Sequence, residues 1–228
     1  MRLEELNWFD VARYLETDDR LIFILGACEQ HAYLSLLSDV RICLALADAA
    51  AQQTGVLAAP PLNFGSSPYF LGYPGTLSLR TSVLLDVVED LVRSVYRQGF
   101  RRILVLNGHS GNDAARGRLF ELATELPELR LAWYAWWQSH SIGEIAQRRG
   151  LKPAHASWLE AFHFNRVGDL PTEAKPPPHV AGLLGAEEAR QVYGDGSFGG
   201  PYQVEDAVYQ EMFQAALEDV LQLLEFDD

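Results

Sequence analysis

The chain has 228 residues, 48% of them hydrophobic and 11% aromatic, which is enough apolar material for a sizeable core and excludes an intrinsically disordered segment. Its 18 basic and 31 acidic residues leave a formal charge of −13, which repels phosphate backbones and argues against a nucleic-acid partner. Cys28 and Cys43 are too few for a disulfide framework or a thiolate zinc site, Met1–Glu5 lacks a signal-peptide signature, and no apolar run reaches the ~20 residues a membrane span needs. The expectation is a cytoplasmic protein without a membrane partner.

In chain order, Leu21–Leu25 is a continuous apolar run stopped by Gly26, which predicts a buried strand. Asp39 opens a helical spacing through about Gln53, closed by Gly55, and Val56–Ala59 predicts a second strand ended by Pro60-Pro61. Residues 81–98 carry one apolar stripe (Val83, Leu84, Val87, Val88, Leu91, Val92, Val95), with Thr81 or Ser82 to cap its start and Gly99 at its end. Ile103–Leu106 reads as a strand, Asn112–Leu126 as a helix stopped by Pro127, and Leu129–Trp137 as a further strand. Beyond about Gly168 come a proline-rich loop, a glycine-rich loop at 194–200 and a final amphipathic helix over about Val204–Leu224. Alternating strands and helices predict a three-layer α/β/α fold with a mostly parallel central sheet, organised as a single domain over 1–228.

In such sheets ligands bind beyond the carboxyl ends of the strands. The first strand is followed by Cys28-Glu29-Gln30-His31 and then Asp39, and the strand 103–106 by Asn107-Gly108-His109-Ser110-Gly111-Asn112. Two strand ends thus deliver carboxylates and imidazoles, without thiolates, to one rim, a donor set suited to Zn²⁺, Mn²⁺ or Fe²⁺. Spacing alone leaves an ordinary reading open: Asn-Gly is a turn dipeptide, Asp39 can be a plain helix cap, and Glu29 or His31 can be a solvated loop residue. His140, His163 and His179 match no motif and read as surface or structural residues, and Cys28 as a small buried hydrophobe.

Four segments in this order resemble the creatininase (creatinine amidohydrolase) family: Gly26-Ala27-Cys28-Glu29-Gln30-His31 with Ser38-Asp39, Tyr73-Pro74-Gly75-Thr76, Asn107–Asn112, and His155-Ala156-Ser157-Trp158-Leu159-Glu160. The resemblance implies a pair of divalent ions (Zn, Mn or Fe) and hydrolysis of a C–N bond in a small amide or cyclic amide by metal-activated water. It implies that Glu29 and His109 hold one ion and His31 the other, that Asp39 bridges and Glu160 completes the second site, and that His155 is the catalytic histidine. Where characterised members carry a further glutamate, this chain has Gly111.

The departures lie around the substrate. Ala32-Tyr33 stands in place of Gly-Pro-His, setting Asp39 one residue closer to Glu29. Ser67-Pro68-Tyr69-Phe70 replaces a segment that often ends Glu-His, and Trp158 replaces the first glutamate of the last motif. Ser67, Ser110 and Trp158 are the expected substrate-facing residues, whereas strand alternation assigns Trp133, Trp136 and Trp137 to core packing. The implied substrate is a small molecule other than creatinine. A creatininase-like peptidase or deformylase, and a non-catalytic binding protein with a degenerate site, are the alternatives. The C-terminal helix can pack on a second copy of the chain, as a homo-oligomer, or cover its own sheet.

Overall fold

The computed structural model describes residues 1–180 and 182–227. Four strands, β1 (Arg20–Leu25), β2 (Leu57–Ala58), β3 (Arg102–Asn107) and β4 (Arg130–Ala135), form one all-parallel sheet in the order β2-β1-β3-β4. Around it lie α1 (Trp8–Tyr14), α2 (Ser38–Thr54), α3 (Thr81–Gln98), α4 (Ala115–Glu125), α5 (His140–Arg148), α6 (Ala186–Tyr193) and α7 (Asp206–Leu223).

The three layers follow from the period of two along each strand. Ile22, Ile24, Leu104 and Leu106 point to one face and pack with α2, α5 and α7, while Leu21, Phe23, Leu25, Ile103 and Val105 point to the other and pack with α3 and α4. Both faces are covered, which is why β1 and β3 read as unbroken apolar runs and not as alternating ones. The stripe of α3 buries Leu84, Val88 and Val92, and Gly99 ends the helix in the left-handed region. Neither Thr81 nor Ser82 caps that helix: its cap position is Arg80, without a side-chain bond, and the Thr81 hydroxyl pairs instead with Ser66 Oγ at 3.3 Å.

The helix expected from Asn112 begins at Ala115, because Ser110–Asn112 first make one tight 3₁₀ turn. The strand expected to reach Trp137 stops at Ala135, and Trp136–Gln138 form another such turn. Three short helices have no counterpart in the sequence reading. Of these, α1 is set by its cap, where Asn7 Oδ1 accepts the Phe9 N–H at 2.9 Å, and α5 buries only Ile142, Ile145 and Ala146. The face of α7 that carries Val208, Tyr209, Met212, Ala216, Leu217 and Val220 is buried against α2 and α5, so this helix covers its own sheet. Among the described residues no helix is long and apolar enough to cross a membrane.

Trp158 lies in this core, with no exposed surface, and its Nε1 donates to the Lys152 carbonyl at 3.0 Å. That corrects its expected substrate-facing role: the indole is sealed among apolar side chains. Trp158→Ala should therefore cost about 3–5 kcal/mol of stability, read as a lower urea midpoint at unchanged slope.

Candidate active site and metal centre

β1 and β3 are direct neighbours, with Leu25 opposite Asn107, so the loops that follow them leave the sheet side by side. Asp39 sits in the first turn of α2, whose cap position is Leu37, so its carboxylate does not cap the helix and turns to the same rim. In the loop between Glu29 and Asp39, Ala32 has a φ of 50°, in the left-handed region. The 73–76 segment buttresses this loop: Thr76 Oγ1 accepts the Gln30 N–H at 3.0 Å and Leu77 N–H donates to the Cys28 carbonyl at 2.8 Å.

Asp39 stands between two histidines, its Oδ1 2.9 Å from His31 Nε2 and its Oδ2 3.1 Å from His109 Nδ1. Glu29 Oε1 is 3.5 Å from His109 Nδ1, and Glu160 Oε1 is 3.6 Å from His31 Nε2. Among the described residues three groups of donor atoms result, Glu29–Asp39–His109, His31–Asp39–Glu160 and Glu29–His31–His155, each with all its atoms within 4.8 Å of one another, and the first two share Asp39. The outer atoms are tied down. His31 Nδ1 donates to its neighbour's carbonyl, Glu29 O, at 3.1 Å, and His109 Nε2 donates to Ser66 O at 2.9 Å with Ser67 Oγ 3.1 Å away. Glu160 Oε2 accepts the Ala156 N–H at 2.6 Å. Each ring thus keeps its inner nitrogen free for the cluster, the arrangement that orients histidines toward a cation.

Burial is nearly complete: Glu29, His31, Asp39 and His109 expose 2%, 1%, 3% and 6% of their surface. Glu29 Oε2, His31 Nε2 and Asp39 Oδ2 are buried without a hydrogen bond of good geometry. Acidic groups packed this tightly away from water need a counter-cation, and their donor set fits a divalent ion of the zinc or manganese type. Without one, protons take that part. Burial opposes the charge on His31 and His109, yet their carboxylate neighbours outweigh it and hold both rings' pKa well above the usual imidazole range. Burial likewise opposes the charges of Glu29 and Asp39, and the facing histidines nonetheless pull both carboxyls below their ordinary range. His155 behaves oppositely: burial and the nearby His31 push its ring below the usual range.

Two connected cavities open over this cluster, of about 270 and 460 Å³, sharing Glu29, His109, Ser110, His155 and Phe198 in their linings. The first is walled by Trp137, Pro153, Ala154 and Leu159, the second by Ser66, Ser67, Pro68, Tyr69 and Phe70. Ser110 lines both and is exposed. Ser67 is buried and also supports the outer nitrogen of His109. Trp137 packs against the core, as strand alternation leads one to expect, and also lines the first cavity, from the tight turn that follows the strand. At Gly111 a Cβ would meet the Ser66 carbonyl and the His109 ring, so the position where characterised creatininases carry a glutamate has no room for a side chain here. A separate hollow of about 600 Å³ beside β4 contains Asp219, but that carboxylate already accepts from Tyr134, Ser139 and Ser141.

Sequence reasoning missed Gln30, whose amide nitrogen lies 2.9 Å from His155 Nε2, and the rings of Phe70 and Phe198, with centroids 4.7 and 5.0 Å from that of His155. Phe198 comes from the glycine-rich loop 194–200, whose backbone meets the site where Phe198 N–H donates to the His155 carbonyl at 3.0 Å. Lys175 pins that loop: its Nζ donates to Ser197 O at 2.7 Å and also engages Asp195 and the Tyr193 carbonyl. Glycines in a loop carry no signal for what lies across from it.

The fold and the rim together define an α/β protein with a buried carboxylate–imidazole centre at the carboxyl ends of two adjacent parallel strands. The chain belongs to the creatininase family, whose model, described as creatinine amidohydrolase, matches residues 4–224. It is 35% identical over 135 residues to the creatinine amidohydrolase of Pseudomonas putida, a stretch covering 56% of this chain and 51% of that one, so the match spans about half of that relative's length. It is 37% identical over 95 residues to the mycofactocin precursor peptide peptidase of Mycolicibacterium smegmatis, covering 39% of this chain and 38% of that one. A crystal structure of creatinine amidohydrolase shares its fold with a TM-score of 0.85, over 97% of this chain and 95% of that one, at 19% identity.

Proposed function

We propose that the protein is a metal-dependent amidohydrolase acting on a C–N bond of an amide larger than creatinine. Glu29, Asp39 and His109 would hold one divalent ion and His31, Asp39 and Glu160 a second, with Asp39 shared. The observation that carries this reading is the burial of Glu29 Oε2, His31 Nε2 and Asp39 Oδ2 at one rim without a hydrogen bond of good geometry, inside groups of closely spaced donor atoms that share Asp39. Solved creatininases of this fold include a manganese form and a Zn-Zn type, which supports zinc or manganese here. Such an ion, when bound, polarises a carbonyl and brings the pKa of water to about 7.

The chain's own residues do the rest. The outer contacts of His31, His109 and Glu160 keep the donor atoms pointed inward. His155 Nδ1 stands 3.8 Å from Glu29 Oε1, where an N–H reaches the oxygen or nitrogen of a substrate held over the cluster. The aromatic walls exclude water and strengthen these contacts. Because two cavities adjoin the cluster, an amide placed there has room for a substituent in each. Among the described residues no lysine or arginine lines either cavity, so neither substituent meets a partner for a carboxylate or phosphate. This supports an uncharged, N-substituted amide, with Tyr69, Phe70 and Phe198 over one arm. That preference favours a small amide or peptide bond over a formyl group.

The test has two readings. Purified protein dialysed against zinc or manganese should retain metal by elemental analysis, and a panel of creatinine, formamides and N-substituted amides should show turnover confined to the last group. Retained metal with no turnover would favour a binding protein; no retained metal would end the proposal. Proton linkage gives a second check. The carboxylates that raise the pKa of His31 and His109 favour protonated rings in the empty centre, and a cation needs their bare nitrogens, so loading both positions should release up to about two protons. With one histidine per ion, the apparent affinity for each ion should then climb about tenfold per pH unit while the pH lies below those raised values. Calorimetry in buffers of different ionisation enthalpy measures the release.

A further inference from the structure

The side chain of Gln30 has both ends assigned by its neighbours. Its oxygen accepts the Ala32 N–H at 3.1 Å, and its amide nitrogen donates to the Gly196 carbonyl at 3.1 Å. Rotating the amide by half a turn would set donor against donor and acceptor against acceptor. One amide hydrogen is left, and its nitrogen stands 2.9 Å from His155 Nε2. A neutral imidazole carries one N–H, so a ring that accepts at Nε2 bears its proton at Nδ1.

We propose that Gln30 is a positioning residue that fixes the neutral His155 ring with its N–H at Nδ1, turned toward the Glu29–Asp39 cluster. The inference rests on the amidohydrolase reading and sharpens it. Nδ1 is the ring nitrogen on the side of the cluster, 3.8 Å from Glu29 Oε1. Protonated there, His155 cannot ligate a cation, so the nearby Glu29–His31–His155 grouping is not a third metal position. The ring acts instead as a fixed hydrogen-bond donor to the charge that develops on a substrate oxygen, and it keeps its proton, because neutral imidazole is too weak an acid to surrender it; the departing nitrogen takes its proton from the attacking water.

The competing arrangement puts the proton on Nε2 and donates it to the Gln30 backbone carbonyl, 3.2 Å away. It would force that N–H against the remaining amide hydrogen of Gln30 at the shorter distance of 2.9 Å. Around the rest of the ring lie Phe70, stacked at 4.7 Å and 17°, Phe198 and His31. Gly196 guards the arrangement. Its φ of +98° is left-handed, and a Cβ there would fall on the Gln30 amide itself.

The experiment is ¹⁵N NMR of the metal-free protein with labelled histidine rings, the His155 signal being identified as the one lost in His155→Gln. A protonated Nδ1 and a bare Nε2 are expected. In Gln30→Glu a carboxylate accepts at that place and moves the proton to Nε2; Gly196→Ala, which displaces the amide, should also disturb the Nδ1–H signature. For any amide the protein hydrolyses, Gln30→Glu should lower kcat about 10²-fold, the scale of losing one aimed donor, with KM within threefold. A native ring protonated at Nε2, or a His155 spectrum unchanged in Gln30→Glu, overturns the proposal. Failure to bind zinc or manganese would remove the metal centre instead, and the tautomer, measured without metal, would still decide the role of Gln30.

Discussion

Asp39→Asn is expected to cut metal retention to one ion per chain or fewer and to lower turnover by about 10³-fold or more, the several kcal/mol that a bound divalent ion contributes. The reason is geometric: the two oxygens of this side chain face different histidines, Oδ1 toward His31 and Oδ2 toward His109. Asparagine has the same shape, but it retains one acceptor oxygen and sets an N–H₂ group against the other ring. It also removes the charge that both groups of donors share. Elemental analysis of the dialysed variant, beside kinetics on the preferred amide, checks both halves. A variant that keeps two ions would show that Asp39 does not bridge.

His155→Ala should leave metal content unchanged and lower kcat by about 10²–10³-fold, the loss that follows removal of one aimed donor. The ring lies beside His31 and its Nδ1 is 3.8 Å from Glu29 Oε1, and its removal breaks none of the hydrogen bonds that orient His31, His109 or Glu160. His155→Gln supplies an amide N–H in about the same place and should recover part of the loss if the ring works as a donor. Equal metal content with unchanged kcat would take His155 out of the reaction.

Much of this arrangement was legible in the sequence for one reason. Strands buried on both faces must be apolar throughout, so β1 and β3 announce themselves as short unbroken runs, and the polar residues just beyond each run are then marked as rim residues. Glu29, His31, Asp39 and His109 were found in this way; His155 and Glu160 entered only through the family resemblance. What the pattern could not convey is orientation once a strand has ended. Core packing is expected of Trp136 and Trp137 alike, and both pack there, but the tight turn at 136–138 buries Trp136 fully and leaves Trp137 half-buried, lining the cavity as well. Trp158 shows the converse: a residue inside a functional motif whose bulk serves the core.

Short helices were illegible for an energetic reason. α1, of 7 residues, and α5, of 9, are each below the length at which an isolated helix holds, and they rest on a cap or on a few buried contacts. The contribution of loop 194–200 was hidden because its glycines encode permissive backbone and say nothing about the ring that Phe198 lays beside His155.

The pinning of that loop by Lys175 has a practical consequence. The chain contains two lysines, Lys152 and Lys175. The second is three-quarters hidden or more, with 19% of its side chain exposed and its ammonium engaged by three acceptors, whereas the first is exposed and adjoins Pro153 and Ala154 at the cavity wall. Apart from an α-amino group, amine-directed dyes or resins therefore have a single favoured point of attachment, one residue before the segment Pro153-Ala154 that lines the first cavity. A probe placed there would report on what enters, and a solid support coupled there would obstruct it.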